Sequence, residues 1–284
     1  MFRRLITTTA ALLATGLVLT GCGAANSGST STPDTSKPLR IMADVTPHSL
    51  LLKEAQKEGL LGDVKLDITE ISGDIDPNQL VESGDLDANF FQHVPYLTDW
   101  NAKHTGSDLV ALSPVHVEPL GLYSKKVKLD TVPDGAVVAI PADATNQARA
   151  LFLLAQAGLI TLDVKPDQPG LDYSQITPEK NVTGNPKNLS WLKIDRPQLA
   201  ATLSDPKVTL SIINGNYAIE AGLVPTTDAL ALESADNNPY ANVVVVKATL
   251  KDDPRVKKLN EALTSPQIQK FITDTFKGSV LPAK

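Results

Sequence analysis

Four short segments of this 284-residue chain combine amides, aromatic rings and a guanidinium in a way that suits holding a small charged molecule. Asn89-Phe90-Phe91-Gln92-His93-Val94-Pro95-Tyr96-Leu97 is an aromatic and amide cluster at an expected strand-to-helix junction, although aromatics in a strand also serve as plain core. Pro141-Ala142-Asp143-Ala144-Thr145-Asn146-Gln147-Ala148-Arg149 puts Thr145 and Asn146 at a helix start, with Arg149 about one turn on. Backbone N–H groups, the helix dipole and a guanidinium then converge, which favours a carboxylate or phosphate; the alternative is a solvated helix arginine. Ile212-Ile213-Asn214-Gly215-Asn216-Tyr217 ends a buried strand in amides, and Asn238-Pro239-Tyr240-Ala241-Asn242 precedes another. Asparagine is often only a turn former, but its side chain can accept from an ammonium and donate to a carboxylate.

No catalytic signature accompanies these segments. G-x-S-x-G, G-x-x-x-x-G-K, G-x-G-x-x-G and H-E-x-x-H are all absent, so the chain is not expected to be an enzyme. His48, His93, His104 and His116 are scattered without metal-ligand spacing, so neither metal nor cofactor is expected.

The elements that must position the four segments read as α/β. Strands are expected at Leu39–Ala43, Val64–Ile68, Asp85–Phe91, Ala136–Ile140, Val208–Ile213 and Asn242–Val246. Between them fall helices from Thr46, as N-cap, to Glu58, from Asp76 to the stop at Gly84, near Val94–Lys103, and from Thr145 to Ala157. Two more close the chain, near Arg255–Leu263 and Pro266–Phe276, whereas 163–190, rich in Pro, Asn, Asp and Gly, reads as a loop. Three of the four segments follow strands, where open α/β sheets bind ligands, and the fourth begins one.

The N-terminus supplies a location. Met1-Phe2-Arg3-Arg4 is followed by an apolar run from Leu5 to Leu19, too short for a comfortable transmembrane helix and flanked like a signal peptide. Leu19-Thr20-Gly21-Cys22 ends it with the chain's single cysteine, an arrangement similar to the bacterial lipobox, in which the leader is removed and Cys22 carries lipid. The small polar residues up to Lys37 read as a tether. Without residues 1–21 the chain carries 24 basic against 32 acidic residues, a charge of −8, which speaks against nucleic acid and against a polybasic membrane patch.

Together the segments resemble a family. Asp87-Ala88-Asn89-Phe90-Phe91-Gln92-His93-x-Pro95-Tyr96-Leu97, Glu118-Pro119-Leu120-Gly121-Leu122-Tyr123-Ser124, Ala139-Ile140-Pro141-x-Asp143-x-Thr145-Asn146-x-x-Arg149, Asn185-Pro186-Lys187-Asn188-Leu189, Ile213-Asn214 and Asn238-Pro239-Tyr240-x-Asn242 are similar, in order, to the methionine-binding lipoproteins of ABC importers, the MetQ/NlpA family. The resemblance implies a two-lobed periplasmic-binding-protein fold of type II with one amino-acid site between the lobes. Arg149 would hold the ligand carboxylate, Asn214 and Asn242 its amino and carboxylate groups, and Phe91, His93 and Tyr96 would wall the side-chain pocket. Asn146 reads first as a helix-start residue. Two departures stand out: Gly73-Asp74-Ile75 where many relatives have a tyrosine before Asp76-Pro77-Asn78, and Pro141-Ala142-Asp143-Ala144 in place of Pro-Asn-Asp-Pro.

The resulting expectation is a leader at 1–21, a tether at 22–37, lobe one at 38–118 plus 236–284 and lobe two at 119–235. The protein would sit on the extracytoplasmic face of the cell membrane, held by lipid, and deliver L- or D-methionine to an ABC permease with its ATPase. Alternatives are a receptor for another amino acid or a methionine-containing dipeptide, and, from other classes, an envelope hydrolase or a surface adhesin.

Overall fold

The computed structural model describes residues 35–71, 75–235 and 238–283. The expected leader, Cys22, most of the tether, and Gly73 and Asp74 lie outside the described residues. In chain order the elements are β1 (Leu39–Ala43), α1 (Leu50–Lys57), β2 (Leu66–Glu70), α2 (Pro77–Ser83), β3 (Ala88–His93), α3 (Val94–Lys103), β4 (Leu109–Val117) and β5 (Gly121–Tyr123). There follow β6 (Val137–Pro141), α4 (Ala144–Gln156), β7 (Thr161–Leu162), α5 (Pro178–Asn181), β8 (Val182–Gly184), β9 (Ser190–Ile194) and, after a 3-10 helix at Arg196–Ser204, β10 (Leu210–Ile213). The chain ends with α6 (Gly215–Glu220), α7 (Pro225–Asp228), β11 (Ala231–Leu232), β12 (Asn242–Lys247), α8 (Pro254–Leu263), α9 (Pro266–Phe276) and β13 (Leu281–Pro282).

Two mixed sheets organise these elements, in the orders β13-β4-β12-β3-β1-β2 and β11-β5-β10-β6-β9. In the first, β1 runs parallel to β2 and β3, while β12 lies antiparallel between β3 and β4. In the second, β6 runs parallel to β9 and β10, and β5 is antiparallel to β10. The chain passes between sheets twice, from β4 to β5 and from β11 to β12.

Each sheet has its own apolar core. Leu39, Ile41, Phe90, Val244 and Val246 pack with Leu51, Leu52, Val256, Leu259 and Ile272 from α1, α8 and α9. Leu122, Val138, Ile140, Leu210 and Ile212 pack with Leu151 and Leu154 on α4. Near-continuous apolar strands such as Ala136–Ile140 are what a sheet covered on both faces requires.

Several expectations shift in detail. The first helix is entered through a π-helical segment at Val45–Ser49, within which Thr46 alone is extended (φ −126°, ψ 132°), as a residue preceding proline prefers, and it continues as α-helix from Leu50. The aromatic and amide cluster forms strand β3 itself, buried at all six positions, and not only its end. Asp143, two residues before the expected start at Thr145, caps α4 by accepting from the Asn146 N–H. Part of the expected loop 163–190 is ordered by α5, which Thr177 caps, and by β8, which pairs with β7. Among the described residues no helix is long and apolar enough to cross a membrane.

Candidate functional site

The site lies where the ends of β3, β6 and β10 and the start of β12 converge. Antiparallel pairing sets Asn242 opposite His93, so a strand start on β12 meets a strand end on β3. From the second sheet come Asn146 and Arg149 on α4 and Asn214 at the end of β10. Phe91, His93 and Asn242 from one sheet and Asn146, Arg149 and Asn214 from the other line a cavity of about 20 Å³, with Gln92, Glu118, Arg196 and Asn216 completing its walls. That is room for about one water molecule, too small for an amino acid with the two sheets this close.

A buried amide network holds β3 in place. Asn78, just inside the α2 helix that Asp76 caps, donates to Gln92 Oε1 at 3.0 Å and accepts from Asn89 at 2.8 Å. Gln92 in turn donates to Asn89 Oδ1 at 2.8 Å. Satisfied networks of this kind fix a unique arrangement in a low-dielectric interior.

His93 and Asn146 join the two sides. His93 Nδ1 accepts from the Tyr96 N–H at 3.2 Å, so Nε2 carries the proton and faces Asn146 Oδ1 at 3.3 Å. Burial, followed by the nearby Arg149 charge, lowers the His93 pKa to about 3, so the ring is neutral at physiological pH. Asn146 Oδ1 also accepts from Asn214 Nδ2 at 3.0 Å, and Asn146 Nδ2 donates to Asp143 Oδ1 at 2.9 Å. Among the described residues, Asn214 Oδ1 is buried and has no hydrogen-bond partner.

Asn242 is oriented from behind. His48 Nε2 lies 3.2 Å from Asn242 Oδ1 and 3.4 Å from Glu118 Oε1, and both are acceptors. The Asn242 Nδ2 group therefore points away from His48, and it makes no hydrogen bond among the described residues. His116 Nε2 meets the same Glu118 oxygen at 2.7 Å. The histidines expected to be scattered are thus corrected: His48 and His116, 68 positions apart, join Glu118 in a fully buried cluster whose potential metal-ligating atoms lie within 4.8 Å of one another. Burial lowers the pKa of His48 to about 4 and of His116 to about 3, and raises that of Glu118. Glu118 Oε2 accepts the Asn216 N–H at 2.9 Å; a Cβ on Gly215 would lie 3.0 Å from the Glu118 Cβ, a tight contact that glycine avoids.

The two arginines differ sharply. Arg149 Nε donates to both Glu233 oxygens at 2.8 and 3.0 Å, while Nη2 reaches Glu233 Oε2 at 2.5 Å and the Glu118 carbonyl at 2.7 Å. Glu233 Oε2 also accepts from the Leu120 N–H, so Arg149 ties both crossovers to α4. The Arg149 guanidinium lies 4.7 Å above the Tyr240 ring, and its Nη1 edge makes no hydrogen bond among the described residues. Arg196 instead touches Asp143 Oδ2 with Nε at 3.4 Å and lies 5.2 Å over the Tyr96 ring.

Of the residues singled out in the sequence, Phe91, His93, Arg149, Asn214 and Asn242 share the cavity wall. Tyr96 is not on that wall but packs edge-on against Phe91 at 5.7 Å and His93 at 6.3 Å. Asn146 both starts the helix and enters the cavity. Glu118 and Asn216 stood within the quoted segments without a role, and nothing in the local sequence marks Arg196.

Comparison with known proteins identifies the family. The chain is 36% identical over 275 residues to the methionine-binding lipoprotein MetQ of Bacillus subtilis (strain 168), covering 96% of each chain. A nutrient-binding protein from Burkholderia cenocepacia, solved bound to methionine, superposes with a TM-score of 0.78 at 38% identity, covering 87% of this chain and 100% of that one. A periplasmic substrate-binding protein of an ABC transporter from Coxiella burnetii superposes equally well, with a TM-score of 0.78 at 38% identity over 86% and 100% of the two chains. With the NlpA lipoprotein model matching residues 39–284, the chain belongs to the NlpA lipoprotein family, a family of substrate-binding proteins.

Proposed function

We propose that this protein is an extracytoplasmic, lipid-anchored receptor that captures methionine in the cleft between its two sheets and delivers it to an ABC permease. The observation that carries the reading is the set of uncommitted polar groups around one cavity. Asn214 Oδ1 suits the ligand ammonium, while Asn242 Nδ2 and the Nη1 edge of Arg149 suit its carboxylate. Phe91, His93 and Tyr96 supply an aromatic flank, which a polarizable thioether favours. The methionine in the Burkholderia cenocepacia structure supports the same choice.

Lobe one would comprise 38–118 and 236–284, and lobe two 119–235, an assignment supported by strand membership in the two sheets. Ligand contacts contributed by both lobes favour the closed state, and a permease would read that state. Cys22 would carry the lipid, keeping the receptor close to its importer.

Calorimetry of the purified protein with L- and D-methionine tests the reading. Saturable binding of either isomer, together with methionine in the small molecules released on denaturation, is the expected result. A folded protein that binds neither and releases none would overturn it.

A further inference from the structure

Arg196 is a second cation in the cavity wall, and its surroundings set it apart from Arg149. Its side chain is four-fifths buried, yet its one ionic contact among the described residues is the 3.4 Å approach of Nε to Asp143 Oδ2. That approach is not a hydrogen bond, since Asp143 Oδ2 is itself buried without a hydrogen-bond partner. The carboxylate is occupied elsewhere: its other oxygen caps α4 and accepts from Asn146 Nδ2. Both Nη groups of Arg196 make no hydrogen bond among the described residues. Arg149, by contrast, is gripped by Glu233 through two nitrogens.

The location of Arg196 matters as much as its freedom. It comes from the 3-10 helix after β9, on the second sheet's side, and stacks 5.2 Å over Tyr96, which α3 carries on the first sheet's side. Tyr96 packs against Phe91, so this cation stands at the aromatic flank of the cavity. The ammonium and carboxylate partners lie elsewhere on the wall, at Asn214, Asn242 and Arg149. A ligand side chain running along Phe91 and Tyr96 would end beside guanidinium N–H groups. A thioether accepts such hydrogen bonds weakly, whereas a sulfoxide oxygen accepts them well. Leaving buried N–H groups unmatched on ligand binding carries a penalty that an oxygen acceptor removes.

The geometry points to Arg196 as a specificity-determining residue that favours an amino acid of methionine's length bearing an oxygen acceptor on its side chain, with L-methionine sulfoxide bound more tightly than L-methionine. This rests on the amino-acid receptor reading above. Calorimetry of the full extracytoplasmic chain with L-methionine and L-methionine sulfoxide tests it, in the wild type, in Arg196→Ala, and in Arg196→Met, which keeps bulk over Tyr96 and has no N–H donor. The wild type should prefer the sulfoxide by about tenfold or more, the scale of one hydrogen bond to a charged group. Arg196→Ala should reduce that preference to about twofold or less, with sulfoxide affinity falling by more than methionine affinity. If Arg196→Ala fails to fold, Arg196→Met carries the same comparison, with its thermal midpoint as the check on folding. Equal or weaker sulfoxide binding by the wild type, or a preference that survives in a folded variant, overturns the inference while the receptor reading stands. Binding of neither ligand overturns both.

Discussion

Asn214 donates through Nδ2 to Asn146 Oδ1 at 3.0 Å, and this bond leaves Asn214 Oδ1 buried and unpartnered beside the cavity. A buried acceptor without a donor is unfavourable in the protein alone and is relieved by a ligand ammonium. Asn214→Ala is therefore expected to weaken methionine binding by about tenfold or more, the loss of a hydrogen bond to a charged group, while thermal stability changes little. Calorimetry and a melting curve on the same preparation check both halves. A large loss of stability with unchanged affinity would remove Asn214 from the site.

Arg149→Ala should do more than abolish binding. The guanidinium is 2% exposed and paired to Glu233, so its removal leaves a largely buried carboxylate and an unpaired Glu118 carbonyl. Breaking such a pair costs about 3 kcal/mol or more, a fall in Tm of roughly 6–12 °C for a chain of this size. Adding Glu233→Gln should recover part of the Tm without restoring binding. A single variant that melts like the wild type would contradict the clamp.

Under the proposed reading His48 would act on the ligand through Asn242. His48→Leu removes the donor to Asn242 Oδ1, frees the amide to rotate, and should weaken binding several-fold by calorimetry. It should also flatten the acid limb of stability described next. Unchanged affinity would show that Asn242 needs no such support.

Stability should fall in acid. The folded-state pKa values of His48, His93 and His116 are lowered to about 4, 3 and 3, against about 6.5 for an unperturbed histidine. Each stabilising contribution is full above pH 6.5 and is lost as pH falls through the folded values, because the unfolded chain binds protons first. Asp44 works in the opposite sense. Burial raises its pKa to about 7, so the folded chain holds that proton longer, and stability from Asp44 is full below its unfolded value and lost as pH rises through 7. Denaturant titrations between pH 4 and 8 should show Asp44→Asn with a steeper rise than the wild type. Parallel curves would refute the Asp44 contribution.

Under the proposed reading Cys22 would govern location alone. Cys22→Ala should move the protein from the membrane fraction to the soluble fraction or leave its leader uncleaved, without altering ligand affinity. Persistent, detergent-requiring membrane association of a processed variant would argue against the lipid anchor.

Local sequence determined the periodic elements, because strand and helix patterning depends on neighbours two to four residues apart. Ala136–Ile140 reads as a buried strand without any partner known, and Pro266–Phe276 as a helix from its Ser265 cap and apolar stripe. The types of residue at the site were also legible, since Arg149, Asn214 and Asn242 sit where short motifs place chemistry at strand ends. Tertiary structure alone decided which of their atoms remain available. Arg149 meets Glu233 84 positions away, His48 meets Asn242 across 194, and Arg196 reaches Asp143 and Tyr96 from a stretch with no motif. Those distances depend on the order and direction in which strands pair, above all β12 returning antiparallel between β3 and β4. Hydrogen bonds act over about 3 Å, so residues far apart in the chain acquire roles only once the sheets bring them that close.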